Sequence, residues 1–105
     1  MKMIRAVIQP FRLDHVRAAL QSAGVEGLSV TECEGHGRQG GLTPAMRAGG
    51  HMRSLAPKLL IEIVIPSQLL HDAIDAISYG ARVGNAGDGK IFVSSIEQAV
   101  SIWTA

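Results

Sequence analysis

Residues 58–80 read KLLIEIVIPSQLLHDAIDAISYG, and within them the period of the apolar residues changes at Pro66. Before the proline, Leu59, Ile61, Ile63 and Ile65 fall on one face and Leu60, Glu62 and Val64 on the other. That alternation is a strand, and Pro66 ends it. After it, Leu70, Ile74 and Ile77 form a stripe at helical spacing, with Ser67 placed to cap the helix and Gly80 to close it. The N-terminal segment has the same organisation. In MKMIRAVIQP, residues 1–10, Ile4, Ala6 and Ile8 share a face opposite Arg5 and Gln9. FRLDHVRAALQSAG, residues 11–24, then places Leu13, Val16 and Leu20 on one stripe, with Gly24 where a helix C′ residue belongs. Fourteen positions separate Pro10 from Gly24, and Pro66 from Gly80. GLSVTECEG (27–35) alternates again, with Leu28 and Val30 opposite Ser29 and Thr31, and KIFVSSI (90–96) supplies the last strand. The order is βαβ twice. This implies an α+β, ferredoxin-like double βαβ sandwich, an antiparallel sheet with two helices on one face.

One domain spanning residues 1–105 is what this length accommodates. Hydrophobic residues make up 47% and aromatics 4%, so the core is built from Ile, Val, Leu and Ala. A formal charge of +1 gives no field to gather nucleic acid or an anionic membrane. The single cysteine, Cys33, excludes an internal disulfide and reads as a small half-buried hydrophobe. No leader pattern precedes the first strand, and no apolar run approaches the ~20 residues that span a bilayer. The expectation is a soluble cytoplasmic protein without membrane insertion. Helices on one face leave the Leu60–Val64 face of the third strand uncovered. Self-association, or partly the C-terminal tail, would have to shelter it. His15, His36, His51 and His71 show no metal-site spacing, so no metal centre is expected; a transient metal or anion contact stays open for His36 and His51. No nucleophile or acid–base signature stands out, and the chain does not read as an enzyme.

Two segments exceed what a plain sandwich needs. Residues 37–55, GRQGGLTPAMRAGGHMRSL, hold five glycines and three arginines (Arg38, Arg47 and Arg53) but no acid. Connections beyond about 12–15 residues are usually functional or disordered. The segment is either a floppy insertion or a basic arm that orders on an acidic ligand or partner surface. A nucleic-acid arm has little support without interleaved aromatics. The second segment, GNAGDGKIFV (84–93), is either a glycine-rich turn with a solvated Lys90 or a backbone cradle for an anion, phosphate above all.

GHGRQGG (35–41) at the start of the loop and GNAGDGKIFV at the last strand resemble the PII signal-transduction proteins. IRAVIQPFRLDHVRAAL (4–20) resembles that family's opening strand and helix, and the likeness runs from Met1 to Thr104. It implies a homotrimer with clefts between subunits that hold an adenine nucleotide: ADP, AMP or ATP, with the part of Mg open. The residues it implies at the nucleotide are Gly35, Gly37, Arg38, Gln39, Gly87, Asp88, Gly89 and Lys90, the last four in a phosphate-type turn spanning 82–90. Val7, Ser29, Glu62 and Val64 fall where the family lines the base and ribose. Arg38, Gln39, Gly41 and Lys58 are implied at a small anionic effector, 2-oxoglutarate in the standard members. The loop, with Arg47, His51 and Arg53, would meet a protein target: a transporter, an enzyme or a regulator.

Departures from the family pattern refine this expectation. Residues 46–51 read MRAGGH where modified members carry tyrosine, so uridylylation is not expected. Ser101 and Trp103 stand where the family commonly places arginines for the outer phosphates, and Val83 and Asn85 are also unusual. The expectation is a PII-like regulator of nitrogen or inorganic-carbon metabolism. It would bind ADP or AMP at least as tightly as ATP and answer a small anion such as bicarbonate. A standard ATP and 2-oxoglutarate sensor is the alternative. A small ferredoxin-like enzyme lacks a catalytic set, and a trimeric metal-tolerance protein would need clustered ligands.

Overall fold

The computed structural model describes residues 1–35 and 56–103. The element order is β1 (Lys2–Ile8), α1 (Leu13–Ser22), β2 (Ser29–Gly35), β3 (Ala56–Ile65), α2 (Leu70–Ala81) and β4 (Gly89–Ser95). All neighbouring strands are antiparallel, in the order β2-β3-β1-β4. β1 is therefore central, with Ile4 opposite Ile63 on one side and Val93 on the other. This is the ferredoxin-like arrangement of the double βαβ reading.

Alternation along the strands fixes which face the helices cover, because successive side chains point to opposite sides of a sheet. Ile4, Ala6 and Ile8 of β1 and Ile61, Ile63 and Ile65 of β3 are buried under the helices. Val16 and Leu20 of α1 and Ala73 and Ile77 of α2 complete that core. α1 ends as its sequence implies. Gly24 has φ +91°, its N–H donates to the Gln21 carbonyl at 3.1 Å, and the Val25 N–H reaches the Leu20 carbonyl at 2.9 Å. That pair of bonds is a Schellman ending, with Val25 tucked into the core behind it.

The second helix corrects two expectations. Ser67 makes no capping bond; α2 is entered through a short 3-10 turn, Ser67–Leu69, with Pro66 ahead of it. α1 is entered the same way, through Pro10–Arg12. Gly80 does not close α2 but lies inside it, buried where α1 crosses. A Cβ there would stand 2.7 Å from Val16 Cα and 2.8 Å from Val16 N, so only glycine lets the two backbones come this close. Arg12 Nε donates to the Gly80 carbonyl at 2.8 Å across the same crossing.

Opposite the helices, the sheet presents Met3, Arg5 and Val7, Leu60, Glu62 and Val64, and Lys90 and Phe92. Val64 is 43% exposed and Phe92 53%. Among the described residues the C-terminal segment does not shelter this face: Ile102 and Trp103 are themselves more than 90% exposed.

Candidate functional site

The turn between α2 and β4 is built by two side chains. Asp88 Oδ2 accepts the N–H groups of Val83 at 2.8 Å, Gly84 at 2.9 Å and Asn85 at 3.2 Å. Asn85 Oδ1 accepts the Gly87 N–H at 2.8 Å, and the reciprocal caps make a capping box around Ala86–Asp88. Partial burial works to raise the Asp88 carboxyl, but the three backbone donors and the nearby Arg82 outweigh it and hold its pKa below the ordinary aspartate value. The other carboxylate oxygen, Oδ1, is buried and has no partner among the described residues.

Gly89 follows at φ +133° and ψ −168°, a region open essentially to glycine alone. Its backbone lies directly against the Val7 carbonyl, leaving no space for a side chain. This close approach starts β4 beside the end of β1 and sets Lys90 opposite Val7. Val7, Asp88, Gly89 and Lys90 line one hollow of about 240 Å³ together with Ser78, Arg82 and the apolar Ile8, Ile77 and Ile91.

Lys58 comes from β3, two strands away from β4. It is buried, 8% exposed, and its Nζ donates to the Gly87 carbonyl at 3.1 Å. A buried ammonium is ordinarily matched by an anion. Here the partner in the structure is a neutral carbonyl, although Glu32 and Glu34 line the same hollow of about 750 Å³ with Cys33. Gly35, the last described residue before position 56, lies against the Lys58 stem: a Cβ there would be 3.6 Å from Lys58 Cγ. One end of the sheet thus gathers Gly35, Lys58, Gly87, Asp88, Gly89, Lys90 and Val7.

Ser29, Glu62 and Val64 are not part of that gathering. They line another hollow, of about 410 Å³, with Met3, Gly27 and Leu28. Met3 pairs with Val64 and Val7 with Leu60, so the two groups are four residues apart along β1, roughly 13 Å at the rise of a strand. Glu62 is already engaged, its carboxylate 2.9 Å from Arg5 Nε. Gly37, Arg38, Gln39, Gly41, Arg47, His51 and Arg53 lie outside the described residues. His15 and His71 are exposed on the helices, and among the described residues no group of His, Cys, Asp and Glu is arranged to hold a metal. No helix among them is long and apolar enough to cross a membrane.

Arg82, which lines the first hollow, and Arg5, paired with Glu62, were not named individually from the sequence, and Asn85 was read there only as an unusual residue of the 82–90 turn, not as one of its builders. The Asn85-x-x-Asp88 spacing is a capping-box signal that could have exposed the turn's construction. Arg5 had no such signal, because its pairing with Glu62 depends on the β1–β3 register.

Comparison with known proteins agrees with this architecture. The family model described as Nitrogen regulatory protein P-II matches residues 1–105. Over 104 residues, 99% of this chain and 93% of each relative, the chain is 51% identical to the Nitrogen regulatory protein P-II of Rhodobacter capsulatus, 50% to that of Rhizobium etli and 44% to that of Haemophilus influenzae. With its double βαβ sheet and a match along its whole length, the chain belongs to the nitrogen regulatory protein P-II family.

Proposed function

We propose that this protein is a non-enzymatic signal-transduction regulator that binds an adenine nucleotide, with ADP or AMP held at least as tightly as ATP. The observation that carries the reading is the convergence, at the root of the 36–55 segment, of the glycine turn, Lys90 and the buried Lys58. Lys90 supplies a cation to the inner phosphates. Each further phosphate adds charge that must be desolvated, and Ser101 and Trp103 offer no cation to meet it. A charge-assisted hydrogen bond contributes roughly 1.5–3 kcal/mol, so lacking two disfavours outer phosphates by about two or more orders of magnitude.

A small anion is the proposed second ligand, held by Lys58 with Arg38, Gln39 and Gly41. Lys58 is the support for it, as a buried ammonium whose hydrogen bond among the described residues goes to a neutral carbonyl and not to an anion. Bicarbonate or 2-oxoglutarate would satisfy it. The base would lie between Val7 of one subunit and Ser29, Glu62 and Val64 of the next. Two half-sites separated along one protomer's sheet suit head-to-tail closure into a ring. The loop residues Arg47, His51 and Arg53 would then carry the ligand state to a protein target.

Calorimetric titration with AMP, ADP, ATP, bicarbonate and 2-oxoglutarate tests the ligands, and light scattering tests the trimer. ADP binding equal to or tighter than ATP, on a particle of three chains, is the expected outcome. ATP with 2-oxoglutarate binding much more tightly than ADP would assign the standard sensor instead. A clean monomer at micromolar concentration would remove the shared cleft.

A further inference from the structure

We propose that Asp88 is a specificity-determining residue, a built-in anion that limits how many phosphates the turn accepts. The inference rests on the nucleotide reading above and deepens it. Four of the turn's amides are already committed inside the protein: those of Val83, Gly84 and Asn85 to Asp88 Oδ2, and that of Gly87 to Asn85 Oδ1. Three donors at the start of the turn, which could otherwise face an anion, are held by a carboxylate of the same charge sign, and the Gly87 donor by the neutral Asn85 oxygen. Asp88 is not fully neutralised by them, since Oδ1 is buried without a partner among the described residues. Its field therefore acts on the hollow it shares with Lys90 and Arg82, and offsets part of what those two cations contribute. A like charge lining the same partly screened hollow weakens binding, by Coulomb's law, on the order of tenfold per added phosphate charge.

The test exchanges charge for shape. Asp88→Asn keeps a side-chain oxygen to accept the three amides and removes the negative charge. Wild type and variant are titrated with AMP, ADP and ATP and, to separate this inference from base recognition, with phosphate, pyrophosphate and tripolyphosphate. Amide exchange at residues 83–85 reports whether the turn survives. The expected result is protected amides in both proteins and a preference for each longer phosphate chain that rises about tenfold in Asp88→Asn. Unchanged preference with the turn intact would overturn the inference, as would unprotected 83–85 amides in the wild type. If Asp88→Asn disorders the turn, Asp88→Ser, a shorter neutral acceptor, repeats the test. Equal loss of every phosphate in both variants would assign Asp88 a purely structural part and overturn the inference. A wild type that ignores adenine nucleotides but binds pyrophosphate removes the nucleotide reading alone, and the inorganic series still decides. If neither variant nor wild type binds any of these anions, both fall.

Discussion

Replacing Gly89 with Ala isolates the contact that starts β4. Two effects add. The backbone at φ +133° and ψ −168° is strained for any residue with a Cβ, by roughly 1–3 kcal/mol. The new methyl would also overlap the Val7 carbonyl oxygen and stand 3.1 Å from its carbon and 3.4 Å from Ile8 Cα. All three are backbone atoms of the central strand, so no rotamer change relieves the overlap. β1 and β4 must part, at an overpacking cost of about 1–3 kcal/mol and with the loss of about one ladder hydrogen bond worth about 1 kcal/mol. The sum is roughly 3–7 kcal/mol, against a total stability of about 5–15 kcal/mol for a domain. Gly84→Ala is the internal control, because its φ is also positive, at +100°, but nothing lies within 4 Å of a Cβ there. Only the conformational cost of about 1–2 kcal/mol remains. Urea melts of both variants at one fixed protomer concentration measure the difference, since association couples to stability. A Gly89→Ala protein within 1 kcal/mol of Gly84→Ala would refute the reasoning.

Gly80→Ala gains about 1 kcal/mol of helix propensity but costs about 1–3 kcal/mol because α1 and α2 must separate at Val16, so the same melts should show no gain and a net loss of up to about 2 kcal/mol. Lys58→Met should leave stability unchanged or raise it by about 1–2 kcal/mol, since a buried cation with a neutral partner is replaced by a side chain of similar length; calorimetry should show the anion response gone. For Asp88 the folded pKa lies below the unfolded one, so its contribution is complete above about pH 4 and is lost as pH falls through the lowered value. The acid limb of a stability–pH profile should therefore be shallower below about pH 4 in Asp88→Asn than in wild type, with no difference in slope between pH 5 and 7.

The legible part of this fold is its local part. The period change at Pro66 and the alternation around Glu62 depend on neighbouring residues alone, and both sheet faces follow from them. Gly24 was readable for the same reason, since a helix ending is written within five residues. Gly80 was not, because its need for a missing side chain comes from Val16, far away in sequence and reached only when the helices cross. Ser67 misled because the chain enters α2 through a 3-10 turn, which moves the first helical residue beyond the reach of a serine cap. At the site, glycines 87 and 89 and Lys90 marked the turn. That Asp88 and Asn85 consume its amides required knowing how the turn closes on itself. Lys58 and Gly87 meet across two strand spacings, and no sequence pattern of either segment announces that bond.

The placing of β1 between β3 and β4 has a consequence for how the chain comes to be folded. Both neighbours of the first strand belong to the second half of the sequence: Lys2 pairs with Ile65 on one side and Ser95 on the other, and the Ile96 N–H closes onto the Met1 carbonyl at 3.1 Å. During synthesis at about 5–20 residues per second, the N-terminal strand and helix have no sheet to join until β3 emerges, and no complete one until β4 does. Pairings this distant in sequence require large loops to close before any of their stabilisation is gained, which slows folding relative to a chain of local contacts. Among the described strands, the sheet is completed only when β4 has emerged. The amide turn and Lys90 lead into that strand, so this part of the candidate site and the described sheet arrive together.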